Sequence, residues 1–324
     1  MTKILVTGVG AIIGYGILRS LRKARPNSHL VGIDIYDDAV GQAWCDQFIQ
    51  AVPTASSDYV NWLVDLAWQT KIDLIMPGIE QDVHRLSDAR DYLNSQKVQV
   101  CLNDANLIDL TRDKWSTFEA LRDIDEACRI PSLASGGFDE LVENLGFPFI
   151  LKPRRSYASK GLLQIADREI FERHAHKLGT ELIAQPIVGS DDEEYTAAVF
   201  GDGTGRACAS ITLQRRLAAD GSTNKAWVRD LPDLNNVIDR LMAYFKPIGP
   251  TNLQFRRTVD GWKLLEINPR ISSATSIRCA FGFNESLMSV EYFLEGKIPT
   301  QPLVRPGYAV RYIEDIVFYD RDNF

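Results

Sequence analysis

The feature that most constrains this fold is a repeated change of hydrophobic period within the first hundred residues. Ile4–Thr7 is a short strand-like run. A glycine-rich segment from Gly8 to Gly16 follows, and Ile17, Leu18 and Leu21 then recur at helical spacing. Leu30–Asp34 reads as a second strand ending in an acid, Tyr59–Gln69 as an amphipathic helix, Ile72–Pro77 as a third strand and Val98–Leu102 as a fourth. Strands joined through helices lie parallel in one sheet, with right-handed crossovers. Residues 1–108 are therefore expected to form a doubly wound α/β lobe.

The pattern then changes. Asp113–Asp125 reads as a helix, and Ile130–Pro131 stops helical structure, because a residue before proline is driven out of the helical region. Phe147–Pro153 is an apolar strand carrying one lysine, Lys152. A polar small-residue loop, Arg154–Gly161, leads to a strand at Leu162–Ala166. A helix over Ile170–Leu178 and a strand over Glu181–Ile187 complete a compact α+β lobe, residues 109–188. From 189 to 324 strand signals dominate, at Tyr195–Phe200, Ala207–Leu213, Asn252–Thr258 and Trp262–Ile267. Helices at Leu234–Phe245 and Glu285–Glu295 cover them, and Tyr308–Phe324 is expected to pack back as an edge strand.

Bulk properties remove several function classes. With 324 residues, 45% hydrophobic and 24% charged, the chain can bury a large core in two or three lobes. A net charge of −7 argues against broad nucleic-acid binding, which needs a basic stripe. No uncharged apolar run approaches the roughly 18–20 residues of a membrane helix. The N-terminus runs straight into a strand, without the apolar core of a signal peptide. Cys45, Cys101, Cys128, Cys208 and Cys279 are scattered and contain no CxxC pair, so neither a disulfide framework nor a zinc knuckle is expected, and the setting reads as cytoplasmic. His174 and His176 are two apart on an expected helix and point apart, which argues against a shared metal.

Gly10-x-x-x-Gly14-x-Gly16, between a strand and a helix, has the layout of a dinucleotide-binding turn, and Asp34 ends the next strand where a ribose-binding acid sits. The plain alternative is a tight βα turn that lets helix and sheet approach closely. A nicotinamide-dependent, NAD(P)-using reductase built on this turn is one competing function.

The strongest segment is Asn252 to Arg270. Two strands flank Val259–Asp260–Gly261, and Glu266 and Asn268, two apart on a strand, share a face. A two-residue Asp-Gly turn would put Gln254 opposite Ile267, on the other face. A three-residue loop pairs Thr258 with Trp262, Gln254 with Glu266 and Asn252 with Asn268. The three-residue loop is the expected one, because it gathers the polar groups on one side. Oxygens of this kind suit Mg²⁺, with Mn²⁺ as the alternative, and Arg270 just after the strand is placed to clamp phosphate. Gln254, Glu266 and Asn268 are thus the candidate metal ligands.

Glu266-Ile-Asn268-Pro-Arg270, with Asn252-x-Gln254-Phe upstream, resembles the ATP-grasp family, in particular the carbamoyl-phosphate synthase large-subunit type. Other segments resemble the family in the same order. Thr111-Arg-Asp-Lys114 is similar to its first nucleotide-binding lysine and Phe147-Pro-Phe-Ile-Leu-Lys152-Pro to its second lysine strand. Leu182-Ile-Ala-Gln185-Pro186-Ile187-Val188 is similar to the hinge that contacts adenine, and Glu194-Tyr195-Thr196 to the segment whose acid holds ribose hydroxyls. The resemblance implies a pre-ATP-grasp lobe over residues 1–108, a two-lobed ATP-grasp domain after it, and ATP and Mg²⁺ as cofactors.

The phosphate loop departs from the family's glycine-rich form: only Ser159-x-Gly161 survives, and Arg154, Arg155 or Tyr157 there is a candidate for reading phosphate or substrate. Arg215, Arg216 and Lys225 lie where the family places phosphate-facing basic residues, and Gly10 stays a candidate phosphate contact. With one such unit and no recognisable glutaminase, the resemblance implies a stand-alone carboxylate–amine ligase. Its catalytic residues are Arg270, Glu266 and Asn268, its partners a small carboxylate and an amine, with a homodimer as an open expectation. Competing readings are a carbamoyl-phosphate-synthase-like phosphoryl transfer to a small carboxylate or carbamate, and a non-catalytic nucleotide sensor.

Overall fold

The computed structural model describes residues 1–155, 161–219 and 221–319. In the first lobe β1 (Lys3–Thr7), β2 (His29–Asp34), β3 (Gln47–Gln50) and β4 (Leu74–Met76) form a parallel sheet in the order β3-β2-β1-β4. The central β1 is apolar on both faces. Ile4 and Val6 pack with Ile17, Leu18 and Leu21 of α1 (Ile12–Ala24), while Leu5 packs with Leu63 and Val64 of α2 (Tyr59–Thr70). α3 (Glu80–Asp88) and α4 (Arg90–Ser95) follow β4.

Two strand expectations need correction. Val98–Leu102 contributes only a single parallel bridge, Ile75 with Val100. The chain is then pinned elsewhere: buried Asn103 accepts from the Ile248 amide at 2.8 Å and donates to Thr251 Oγ1 at 2.8 Å, both in the third lobe. Conversely, β3 was not expected. Gln-Phe-Ile-Gln has no usable period, and only its pairing with β2 makes it a strand.

The second lobe begins with α5 (Ala105–Thr111), α6 (Lys114–Ala120) and α7 (Phe138–Leu145). The helix expected over Asp113–Asp125 is shorter, passing into a 3₁₀ turn at Leu121–Asp123. β5 (Phe149–Pro153), β6 (Leu163–Ile165) and β7 (Leu182–Pro186) form an antiparallel sheet in the order β6-β5-β7, with α8 (Arg168–His174) and α7 closing its core.

The third lobe is a sheet of β8 (Glu194–Asp202), β9 (Ala207–Leu217), β10 (Thr223–Arg229), β11 (Ile248–Thr258), β12 (Gly261–Asn268) and β13 (Tyr308–Val310), in the order β12-β11-β8-β9-β10-β13. One face carries Tyr195, Val199, Leu253 and Phe255 against α9 (Pro232–Phe245). Part of the other packs Ala198, Phe200 and Ile211 against α10 (Thr275–Ala280) and α11 (Glu285–Glu295). Ile271 and Val290 also enter the first lobe's core, so the first and third lobes share apolar packing. Of the expected terminal edge strand, only Tyr308–Val310 pairs, with β10; residues 320–324 lie outside the described residues. Among the described residues no helix is long and apolar enough to cross a membrane.

Candidate active site

The polar hairpin reaches the expected register by a different route. Thr258 pairs with Gly261, so the turn holds two residues, Val259 and Asp260, and the expected three-residue loop is corrected. Phe255 pairs with Leu264 but Gln254 pairs with Glu266, so Leu265 is an extra residue on β12. This β-bulge restores the pairs Gln254 with Glu266 and Asn252 with Asn268, and places those four side chains on one face. It also has a second effect. The Leu265 carbonyl accepts a hydrogen bond from Lys152 Nζ at 3.5 Å, linking this lobe to β5 of the other.

Lys152 projects from a strand whose neighbours Phe149 and Leu151 are fully buried. Burial pulls its ammonium down from 10.5 to about 8; Glu266 opposes that shift and Lys114 reinforces it. Lys114 is the first residue of α6, whose Asp113 cap accepts from the Trp115 amide. Lys114, Lys152, Gln185 and Glu266 line one cleft of about 420 Å³ between the second and third lobes, with Phe118, Leu121, Ile130 and Ile267 as apolar wall. Gln185 is itself buried and donates to Ser132 Oγ at 2.7 Å.

Behind Gln254 lies a buried charge cluster. Arg215 donates to Glu194 Oε1 at 2.9 Å and to Gln254 Oε1 at 2.8 Å. Arg256 donates to the other oxygen of Glu194, at 3.0 and 3.1 Å. Both Glu194 oxygens are therefore engaged by arginines. Arg256 escaped the sequence reading, although its two-residue offset from Gln254 on the strand was available as a signal. Of the three basic candidates, only Arg215 reaches this face. Arg216 pairs with Asp192 on the surface and Lys225 is exposed, because successive residues of a strand alternate sides.

Other candidates are placed as follows. Arg154 grips Asp113 through two nitrogens, the closest contact 2.7 Å, and also donates to the Gly179 carbonyl, so it braces the start of α6. The Asp113 carboxyl is held below its ordinary value, burial notwithstanding, by this arginine. Gly161 takes a positive φ of 79° directly after residues 156–160, and Ser159 and Tyr157 lie outside the described residues. In the segment expected to form the hinge, Pro186 is half-buried, Ile187 exposed, and the Val188 carbonyl accepts from Arg256 at 3.3 Å. The Gly10 amide donates to Asp34 Oδ2 at 2.7 Å and the Tyr36 amide to Asp34 Oδ1 at 3.1 Å. The acid that a dinucleotide ribose would need is thus tied to its own loop. A Cβ on Gly14 would stand 2.2 Å from the Gly8 carbonyl oxygen, which is the requirement of a close-packed turn.

Arg270 is paired across the lobes. It donates to the Glu80 carboxylate of α3, to Asn268 Oδ1 at 2.9 Å and to the Ile271 carbonyl at 3.1 Å. The oxygens that a divalent cation could use are the Glu266 carboxylate and the remaining lone pairs of the Gln254 and Asn268 amide oxygens, which already accept from Arg215 and Arg270. No hydrogen-bond donor holds Glu266 among the described residues. This set fits Mg²⁺, which takes one or two carboxylates and completes its shell with water and phosphate. Among the described residues no cluster of three His, Cys, Asp or Glu side chains forms an alternative metal site.

A parallel α/β lobe followed by two β-rich lobes that enclose a cleft with two lysines and an acid is the ATP-grasp architecture, and solved structures agree. N5-carboxyaminoimidazole synthetase from Staphylococcus aureus superposes with a TM-score of 0.73 at 17% identity, over 94% of this chain and 80% of that one. The biotin carboxylase domain of Hydrogenobacter thermophilus 2-oxoglutarate carboxylase, solved with MgADP, superposes with a TM-score of 0.70 at 17% identity, over 95% and 73%. The chain shares the fold of these enzymes. More particularly, residues 181–316 match the family described as ATP-grasp in the biosynthetic pathway with Ter operon. A D-alanine–D-alanine ligase of Cupriavidus pinatubonensis is 33% identical over 93 residues, which span 28% of this chain and only 27% of that relative.

Proposed function

We propose that the protein is an ATP-dependent carboxylate–amine ligase that works through an acyl phosphate. The observation that carries this reading is the meeting of Lys114, Lys152, Gln185 and Glu266 in one cleft, from four separate segments. Phosphoryl transfer needs positioning and charge neutralisation above all, and these residues supply both. Lys114 and Lys152 balance the nucleotide's phosphates as point charges, and the apolar wall receives the base. Glu266, Gln254 and Asn268 would hold Mg²⁺, which neutralises charge on the transferring phosphoryl group. Glu194 orients the site through Arg215 and Gln254, with ribose contact through whichever oxygen the arginines release.

The substrate carboxylate takes the γ-phosphoryl group as the bond to ADP breaks. Arg270, next to Asn268, offsets the negative charge of the acyl group. An amine then attacks the acyl carbon and phosphate leaves with the bonding pair, while the ammonium proton passes to solvent. Closure of the two lobes excludes water that would hydrolyse the acyl phosphate. The test is ADP release by the full chain over a panel of carboxylic acids and amines. ADP release that depends on both an acid and an amine, and that falls at least about a hundredfold in Glu266→Gln, is the expected result. Amine-independent release of a stable phosphorylated product would instead favour the synthase-like reading.

A further inference from the structure

The ion pair between Glu80 and Arg270 raises a problem of charge balance. Glu80 opens α3, just after the Pro77–Gly78–Ile79 turn that leaves the C-terminal end of β4. Ligands of open α/β sheets bind at such ends. Arg270 approaches it from the third lobe, directly after the metal-binding strand. Their side chains are 21% and 15% exposed. Few other groups are available to Glu80. His84 Nε2 stands 3.9 Å from its other oxygen, and burial lowers the pKa of that imidazole, so it is neutral near pH 7. Arg112 is committed to Asp88 at 2.7 Å and to the His84 carbonyl at 2.9 Å. Arg270 and Glu80 therefore neutralise each other, and Arg270 also lines a small, mainly apolar crevice with Met76, Pro77, Val83, Asn103, Pro250 and Ile271.

A carboxylate substrate that claims Arg270 strips Glu80 of its partner. A half-buried carboxylate without a counter-charge is costly. That cost vanishes only if the incoming molecule brings its own cation to Glu80. We infer that the acid activated by this enzyme is an amino acid, its carboxylate on Arg270 and its ammonium on Glu80. This inference rests on the ligase reading and adds the class of substrate to it. Because Glu80 and Arg270 touch in the free protein, the matching zwitterion has its two charges close together, as in an α- or β-amino acid. The substrate exchanges one ion pair for two and leaves no charge unmatched. Held as an ammonium, its nitrogen has no lone pair with which to attack, so the nucleophilic amine comes from a second molecule. The balanced reaction is amino acid plus ATP giving aminoacyl phosphate and ADP, then aminoacyl phosphate plus the second molecule's amine giving amide, phosphate and a proton.

The experiment measures MgATP-dependent ADP release by the full chain. Its panel is the twenty protein α-amino acids, their D-enantiomers and β-alanine, each beside its des-amino and N-acetyl counterpart and all with a common set of amines. MgATP binding is measured in parallel by calorimetry. At least one amino acid should stimulate release, with kcat/KM at least about a hundredfold above its des-amino and N-acetyl partners, because those leave a buried charge unpaired. That discrimination should collapse by about tenfold or more in Glu80→Gln and recover in part in Glu80→Asp. Acids that work equally well without the ammonium group would overturn the inference. So would a Glu80→Gln variant that keeps the discrimination, or a complete lack of stimulation while MgATP still binds. Failure of MgATP to bind at all would instead remove the ligase reading, and this inference with it.

Discussion

Lys152 sets function against stability, and the size of that conflict can be worked out. Its ammonium sits in the cleft with the Leu265 carbonyl at 3.5 Å as its hydrogen-bond acceptor among the described residues. Burial lowers its pKa from 10.5 to about 8. At about 1.4 kcal/mol per unit, keeping this charge in the empty protein costs roughly 3 kcal/mol. The sign follows from proton binding. Between pH 8 and 10.5 the unfolded chain holds the proton more tightly, so stability rises with pH across that window, and below pH 8 the full penalty stands. Lys152→Met removes the charge and keeps most of the volume. Without ligand it should melt several degrees higher than the wild type at pH 7, and it should lose the rise in stability between pH 8 and 10.5. The same variant should bind MgATP at least about a hundredfold more weakly, since the proposed positive partner of the phosphates is gone. In the wild type, ATP affinity should fall as pH rises through about 8, because the nucleotide must then bind together with a proton. Thermal melting across pH, with calorimetry for MgATP, tests all of this. A Lys152→Met protein that melts lower than the wild type at pH 7, or that binds MgATP normally, would refute the reasoning.

Three further outcomes are expected. Glu194→Ala leaves Arg215, whose side chain is only 5% exposed, without its ion pair, and should cost about 3–5 kcal/mol in chemical denaturation; an unchanged midpoint would remove the cluster's structural importance. Gly78→Ala puts a Cβ 2.1 Å from the Thr7 carbonyl oxygen and 2.7 Å from Gly14 Cα, so it should destabilise the first lobe by about 1–3 kcal/mol or more, as read by melting. Burial pushes the thiols of Cys101 and Cys128 up to about 12, so both should resist iodoacetamide at pH 8 in the folded protein and react after denaturation, as mass spectrometry would show.

Local periodicity settled a good deal before any tertiary contact was known. Alternating apolar runs and helical patterns in residues 1–108 imply a parallel sheet, since strands joined by helices have no other economical arrangement. That Glu266 and Asn268 share a face was legible because a strand's two-residue period is written directly into neighbouring positions, whereas Gln254 joins them only through the bulge. Tertiary structure alone decided the rest. The bulge at Leu265 has no local signature, and it both corrects the register of the hairpin and turns a carbonyl toward Lys152. Arg270 was expected to face phosphate and instead meets Glu80, 190 residues away in sequence, because only packing of the first lobe against the third brings α3 to the end of β12. Among Arg215, Arg216 and Lys225, one side chain reaches Gln254 because β9 presents alternate residues to opposite faces, and which face is inward depends on where α10 and α11 lie. Chemistry carried by consecutive residues is readable along the chain; charge pairs between lobes exist only once the lobes have met.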